Sequence, residues 1–165
     1  MPRTRGGHAG TAGGPLDKFR RLNLTMLVLL LVQFGFGIGT NLYVKIPSQH
    51  PGAQASNYFT GLMKGIGWVI PNGAIVLAAH AALGLALILV GLAVLVRSFS
   101  AHRGGILAAS LIGWLAIIGA GFNGASFLNY NNDISSLIMS LLFALAVLCY
   151  GVTLYLLAAG TVSAK

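Results

Sequence analysis

Four long apolar runs, separated by shorter polar segments, occupy most of the chain. They fall at about residues 22–44, 75–96, 106–128 and 134–157. A helix needs about 20 apolar residues to cross the roughly 30 Å hydrocarbon core of a bilayer. The pattern therefore predicts an all-α integral membrane protein with four transmembrane helices. The short connections after the second and third runs favour an up-down bundle of antiparallel helices.

The predicted membrane domain covers residues 22–160, and a polar segment precedes it and another follows it in the sequence. Residues 1–21 are rich in Gly and basic side chains and contain too few apolar residues to form a core. We expect a disordered tail there that ends in a basic collar at the membrane surface. Residues 161–165 form a short C-terminal tail.

The segment between the first and second runs is the longest connection in the chain. Apolar residues recur at helical spacing in its second half, at Phe59, Leu62, Met63, Ile66 and Ile70. Aromatic rings at either end of that half suit the depth of the lipid head groups. We therefore expect an amphipathic interfacial helix at about residues 56–70.

Two sets of small residues have the spacing that lets helices approach closely. Gly35 and Gly39 lie in the first run, and Ala116, Ala120 and Gly124 lie in the third. Such seams serve packing inside one bundle or association between copies. Both interpretations remain open for Gly35 and Gly39.

Composition supports a membrane protein and narrows its partners. Only 7% of the residues are charged, whereas a soluble domain has roughly 25%. The net charge of +8 comes from basic residues at the ends of the apolar runs. The lipid bilayer, rather than nucleic acid, is therefore the expected partner of these charges.

The distribution of Lys and Arg predicts the orientation of the chain. Eight of the ten lie in the two tails and in the connection between the second and third runs. Lys45 and Lys64 are on the opposite side. The positive-inside rule then places both termini in the cytoplasm. Richness in Ala, Gly and Leu is typical of a bacterial inner membrane protein.

The apolar runs lack the side chains that most catalytic mechanisms need. None of the four contains Asp, Glu, Lys or Arg. The two acids of the chain, Asp17 and Asp133, lie on opposite sides of the predicted membrane. Cys149 is the single cysteine and has no partner for a disulfide or a zinc site. We expect no enzyme activity, no metal and no cofactor.

His80 is the one ionisable side chain in the second run. Three interpretations remain open for it: a packing hydrogen bond to an Asn or Ser, a ligand of haem b with His50 as partner, or a contact for an apolar or lipidic ligand. Asn41, Asn123 and Ser126 lie at similar predicted depth, toward the outer leaflet. We therefore predict a polar cluster in the outer half of the bundle.

The segment HAALGLAL, which begins at His80, resembles the start of a haem-ligating helix in four-helix membrane cytochromes. The layout is similar to one half of the haem A synthase family, in which an outer loop precedes a histidine near the outer end of the second span. The resemblance implies a haem ligand at His80 alone. The fourth run has no histidine, and the outer loop has no cysteine pair.

The expected function is that of a small, non-enzymatic membrane protein that acts by helix packing with itself or with a membrane partner. One alternative is a haem-binding or redox accessory protein that uses His80. Another is a binder or carrier of a small apolar or lipidic ligand in the outer leaflet.

Overall fold

The computed structural model describes residues 14–162, with side chains up to residue 159, and this part of the chain is helical throughout apart from connections. The helices are α1 (Pro15–Tyr43), α2 (Tyr58–Asn72), α3 (Ile75–Phe99), α4 (Gly104–Tyr130) and α5 (Asp133–Val162). All except α2 are long and apolar enough to cross a membrane. The prediction of four apolar helices long enough to span a membrane is confirmed. The predicted disorder of residues 1–13 and the last residues of the C-terminal tail, 163–165, lie outside the described residues.

The first helix begins earlier than the apolar pattern indicates. It starts at Pro15 rather than at Leu22, so the basic collar is helical. Proline is well tolerated in the first turn because its missing N–H has no intrahelical acceptor there. Asp17 in the same turn faces the positive end of the helix dipole. The boundary predicted between tail and membrane domain therefore falls inside α1.

The four long helices form a closed ring in the order α1, α3, α4, α5. Within the described residues, no Cα atom of α1 lies within 8 Å of α4, and the same holds for α3 and α5. Each long helix thus packs against the two helices next to it in this order, and α5 closes the ring by packing against α1. The centre of the ring is filled by buried side chains that include Met26, Leu30, Leu87, Ile117 and Tyr150.

The fifth helix, α2, packs on α3 and α4 at one end of the ring. Asn57 caps its first turn, with the side-chain Oδ1 accepting the N–H of Thr60 at 2.9 Å. The connection that precedes α2 is fastened to the end of α4, because the N–H of Gln54 donates to the carbonyl of Asn129 at 3.2 Å. We call this end of the ring, where α2 and residues 44–57 lie, the loop end.

Most glycines of the small-residue seams lie where two helices of the same chain pack closely. A Cβ added at Gly124 would lie 3.0 Å from Met139 Sδ of α5, and one added at Gly39 would lie 3.0 Å from Val76 Cγ1 of α3. Gly35 is different, since a Cβ there would meet nothing within 4 Å. Gly39 therefore serves packing within the bundle, whereas Gly35 is open to the surroundings.

Candidate functional site

His80 lies in the contact between α1 and α3, and its partner is Gln33. The Gln33 Nε2 donates to the backbone carbonyl of His80 at 3.1 Å and lies 3.4 Å from its ring Nε2. Gly37 makes room for the ring, because a Cβ there would lie 3.3 Å from His80 Cε1. Two buried polar atoms of this contact have no bonding partner in the described structure: Gln33 Oε1 and His80 Nδ1.

The packing interpretation of His80 placed an Asn or Ser opposite it, and that detail is wrong. The residue opposite is Gln33, which is 8% exposed. Gln33 shares the buried face of α1 with Asn23, Met26 and Leu30, at alternating spacings of three and four. Residues at that spacing lie on one face of a helix. The spacing was therefore the sequence signal that could have identified Gln33 as part of the buried face.

The structure does not bring together the predicted cluster of Asn41, Asn123 and Ser126. Asn41 is exposed near the end of α1. Asn123 donates to the carbonyl of Gly119 in its own helix at 2.9 Å. Ser126 is buried and shares a hydrogen bond of 2.7 Å with the Tyr58 hydroxyl of α2. Asn123 and Ser126 thus bond to different partners, and Asn41 is exposed, so the three side chains do not form one hydrogen-bonded cluster.

His50 belongs to the loop end and is held by neighbours other than His80. Its ring stacks on Trp68 of α2, with centroids 4.9 Å apart. Its Nε2 lies 3.1 Å from the carbonyl oxygen of Leu128, and its Nδ1 lies 3.2 Å from that of Pro51. His50 therefore links the loop to α2 and α4.

The structure does not arrange these two histidines as a facing pair for a haem iron. A haem ligand must present a ring nitrogen to the open face of an iron. His80 Nδ1 is buried without a partner, and Nε2 faces the Gln33 amide. Both nitrogens of His50 face carbonyl oxygens. No group of three or more His, Cys, Asp or Glu capable of holding a metal occurs among the described residues.

Polar groups also lie away from the loop end. Asn23 is fully buried in α1, and its Nδ2 donates to the carbonyl of Tyr150 in α5 at 2.8 Å. Trp114 of α4 donates through Nε1 to the carbonyl of Ile88 in α3 at 3.0 Å. Together with Gln33, these side chains form one hydrogen bond across each of three helix pairs, α1–α5, α3–α4 and α1–α3. We call these three hydrogen bonds the interhelical amide and indole bonds.

A surface groove lies between α1 and α5 at the end opposite α2. Its volume is about 800 Å³. Asp17, Arg20 and Arg21 line its polar part, and Leu24, Leu154 and Tyr155 line its apolar part. The nearby turn between α3 and α4 is fixed to the same end of α5, because Arg103 Nη1 donates to the carbonyl of Leu156 at 3.1 Å. The sequence marked the arginines as a collar but gave no sign of the groove.

Comparison with known proteins adds no relative: no family model, curated protein or solved structure matches this chain. The class is defined by the fold alone. Its four long apolar helices indicate a helical membrane protein with four candidate spans.

Proposed function

We propose that this chain is a non-enzymatic, multi-pass membrane protein that acts by packing against a second membrane helix, from another copy or from a partner. The interhelical amide and indole bonds are the observation that supports this proposal. Gln33, Asn23 and Trp114 each donate to a carbonyl of a neighbouring helix. In hydrocarbon, such bonds hold helices together. These three donor groups are thus engaged in packing inside the bundle, and we assign contact with a partner to the outer surface.

The exposed face of α1 is the surface that we assign to this packing. It presents the exposed apolar side chains Val28, Leu31, Ile38 and Leu42, with Gly35 four residues after Leu31 and three before Ile38. Gly35 interrupts the row between Leu31 and Ile38 and leaves a notch, since nothing lies within 4 Å of its Cβ position. A side chain from another helix can insert where a glycine exposes its backbone.

The topology that we propose is an up-down bundle in a bacterial inner membrane, with both termini in the cytoplasm. The connections Ser100–Arg103 and Asn131–Asn132 are too short to cross a bilayer, which supports antiparallel neighbours. The positive-inside distribution of Lys and Arg supports the orientation. α2 then lies in the outer interface, where its exposed Phe59 and Met63 would contact lipid.

Association in native membranes tests the proposal. We would measure the mass of crosslinked complexes for the wild-type chain and for Gly35→Trp. We expect the wild-type chain to be recovered in a dimer or with one stoichiometric membrane partner. Gly35→Trp fills the notch and should weaken that association about tenfold, which corresponds to ~1.4 kcal/mol.

The control is Gly121→Trp on α4, where an added Cβ also meets nothing within 4 Å. It should leave association unchanged, because Gly121 lies outside the α1 face. A wild-type chain that is monomeric and partner-free in the membrane would contradict the proposed function. Equal loss in both variants would reject the α1 face as its surface.

A further inference from the structure

The groove between α1 and α5 combines unpaired positive charge with an apolar wall. Arg20 is half-buried, Arg21 is exposed, and neither guanidinium forms an ion pair or hydrogen bond with the residues that the structure describes. Asp17 lines the same groove, so two positive groups stand against one negative group. The polar part therefore favours an anion.

The apolar part of the groove extends deeper along both helices. Leu24 lies one turn beyond Arg20 on α1, a rise of about 6 Å. On α5, Tyr155 is followed one turn deeper by Gly151, where an added Cβ would meet nothing within 4 Å. The groove thus runs from charged groups at the helix ends toward the predicted hydrocarbon, bordered by Leu154 and Leu24.

We infer that this groove binds one anionic diacyl phospholipid. Its phosphate lies against Arg20 and Arg21, and an acyl chain follows Leu24, Leu154 and the open space at Gly151. A free phosphate would use only the charged part of the groove. A zwitterionic lipid would bring its own cation to the arginines. The amphipathic course of the groove and its net positive charge together favour an anionic lipid.

Native mass spectrometry of the full chain in mild detergent tests this inference, with dioleoyl phosphatidylglycerol and dioleoyl phosphatidylcholine as probes. A basic residue near an anionic lipid surface contributes about fivefold in binding. We expect a 1:1 complex with phosphatidylglycerol, favoured over phosphatidylcholine by on the order of tenfold. The double variant Arg20→Gln, Arg21→Gln should lose most of that preference.

Two charge variants separate a specific site from general attraction to the membrane. The control Lys18→Gln, Arg97→Gln removes the same charge from side chains that do not line the groove, and it should keep the preference. Asp17→Asn removes the opposing charge and should strengthen phosphatidylglycerol binding about fivefold. A purely structural role of these side chains would not produce that increase.

Two glycine-to-leucine substitutions test the apolar part of the groove. Gly151→Leu should block the acyl chain and reduce binding of the lipid, whereas Gly121→Leu, on another open surface, should not. The inference is overturned if phosphatidylcholine binds equally well, or if the Lys18, Arg97 control loses as much preference as the groove variant. Displacement of the lipid by inorganic phosphate, or occupation by a protein segment instead, would also overturn it.

Discussion

At the scale of single residues, two glycines of α2 have opposite surroundings. Gly65 is buried against the Asn129 side chain of α4, and a Cβ added there would collide with Asn129 Oδ1. Gly67, two positions along, has nothing within 4 Å of its Cβ position. Asn129 is 4% exposed, and neither of its side-chain polar atoms has a conventional hydrogen bond. Gly65 therefore permits the close approach of α2 to α4.

We predict that Gly65→Ala destabilises the protein, because the buried Asn129 must move to make room. Overpacking of this kind costs about 1–3 kcal/mol. The free energy of unfolding in detergent, measured by denaturant titration, checks it. Gly67→Ala is the matched control and should be neutral or stabilising by up to ~1 kcal/mol, since alanine favours helix. Equal losses in the two variants would mean that α2 does not pack as described.

Gln33 gives a second prediction at this scale. Gln33→Met keeps most of the side-chain volume but removes the hydrogen bond to the His80 carbonyl. Hydrogen bonds between membrane helices average about 0.6 kcal/mol and reach about 1.7. We therefore expect a loss of ~1 kcal/mol in the free energy of unfolding.

The control for Gln33→Met is Asn41→Leu. Asn41 is an amide on the same helix, but it is exposed and forms no hydrogen bond with the described residues. Its replacement should change stability little. If Gln33→Met were as stable as the wild-type chain, the interhelical bonds would not be stabilising, and the support they give to the proposed function would be lost.

At the scale of elements, the contact between α4 and α5 depends on small residues of α4. A Cβ at Gly113 would lie 3.1 Å from the Tyr150 ring and 3.1 Å from Cys149 Cβ. Tyr150 is fully buried, and its hydroxyl would lie 2.9 Å from a Cβ added at Gly91 of α3. The ring is therefore enclosed between α3 and α4, and α5 approaches α4 closely at Gly113.

Gly113→Leu should separate the two helices. We expect a loss of at least ~3 kcal/mol, the upper end of typical overpacking costs, because a rigid ring cannot yield as a flexible side chain would. Thermal unfolding followed by circular dichroism checks this. Gly121→Leu adds the same side chain to an open face of α4 and should unfold close to the wild-type temperature. A Gly113→Leu protein of wild-type stability would contradict the seam.

At the scale of the whole molecule, the proposed up-down topology places two connections on opposite sides of the membrane. Ser48 lies in the exposed loop before α2, and Ser100 lies in the turn between α3 and α4. In a Cys149→Ser background, we predict that Ser48→Cys reacts with an impermeant maleimide added to intact spheroplasts. Ser100→Cys should react only after the membrane is opened. Labelling of both sites in intact spheroplasts would reject the up-down topology.

Some features of this structure follow from local sequence alone. The four apolar lengths fix the number and place of the spans, because the hydrocarbon thickness sets a length that any single helix must meet. An asparagine marks the end of α4, because Asn131 adopts the left-handed conformation with φ of 49°. These features depend on neighbouring residues and on the solvent, and so the pattern predicts them.

The rotation of each helix was decided only by the tertiary structure. In water, an apolar face marks the side of a helix that is buried. In a bilayer, the lipid-facing side of a helix is as apolar as the interior. The sequence therefore shows no contrast between the buried and the lipid-facing sides. That is why the sequence placed His80, Asn123 and Ser126 in one cluster, whereas the folded chain pairs His80 with Gln33. It is also why the groove of Arg20 and Gly151 became visible only once α1 and α5 were side by side.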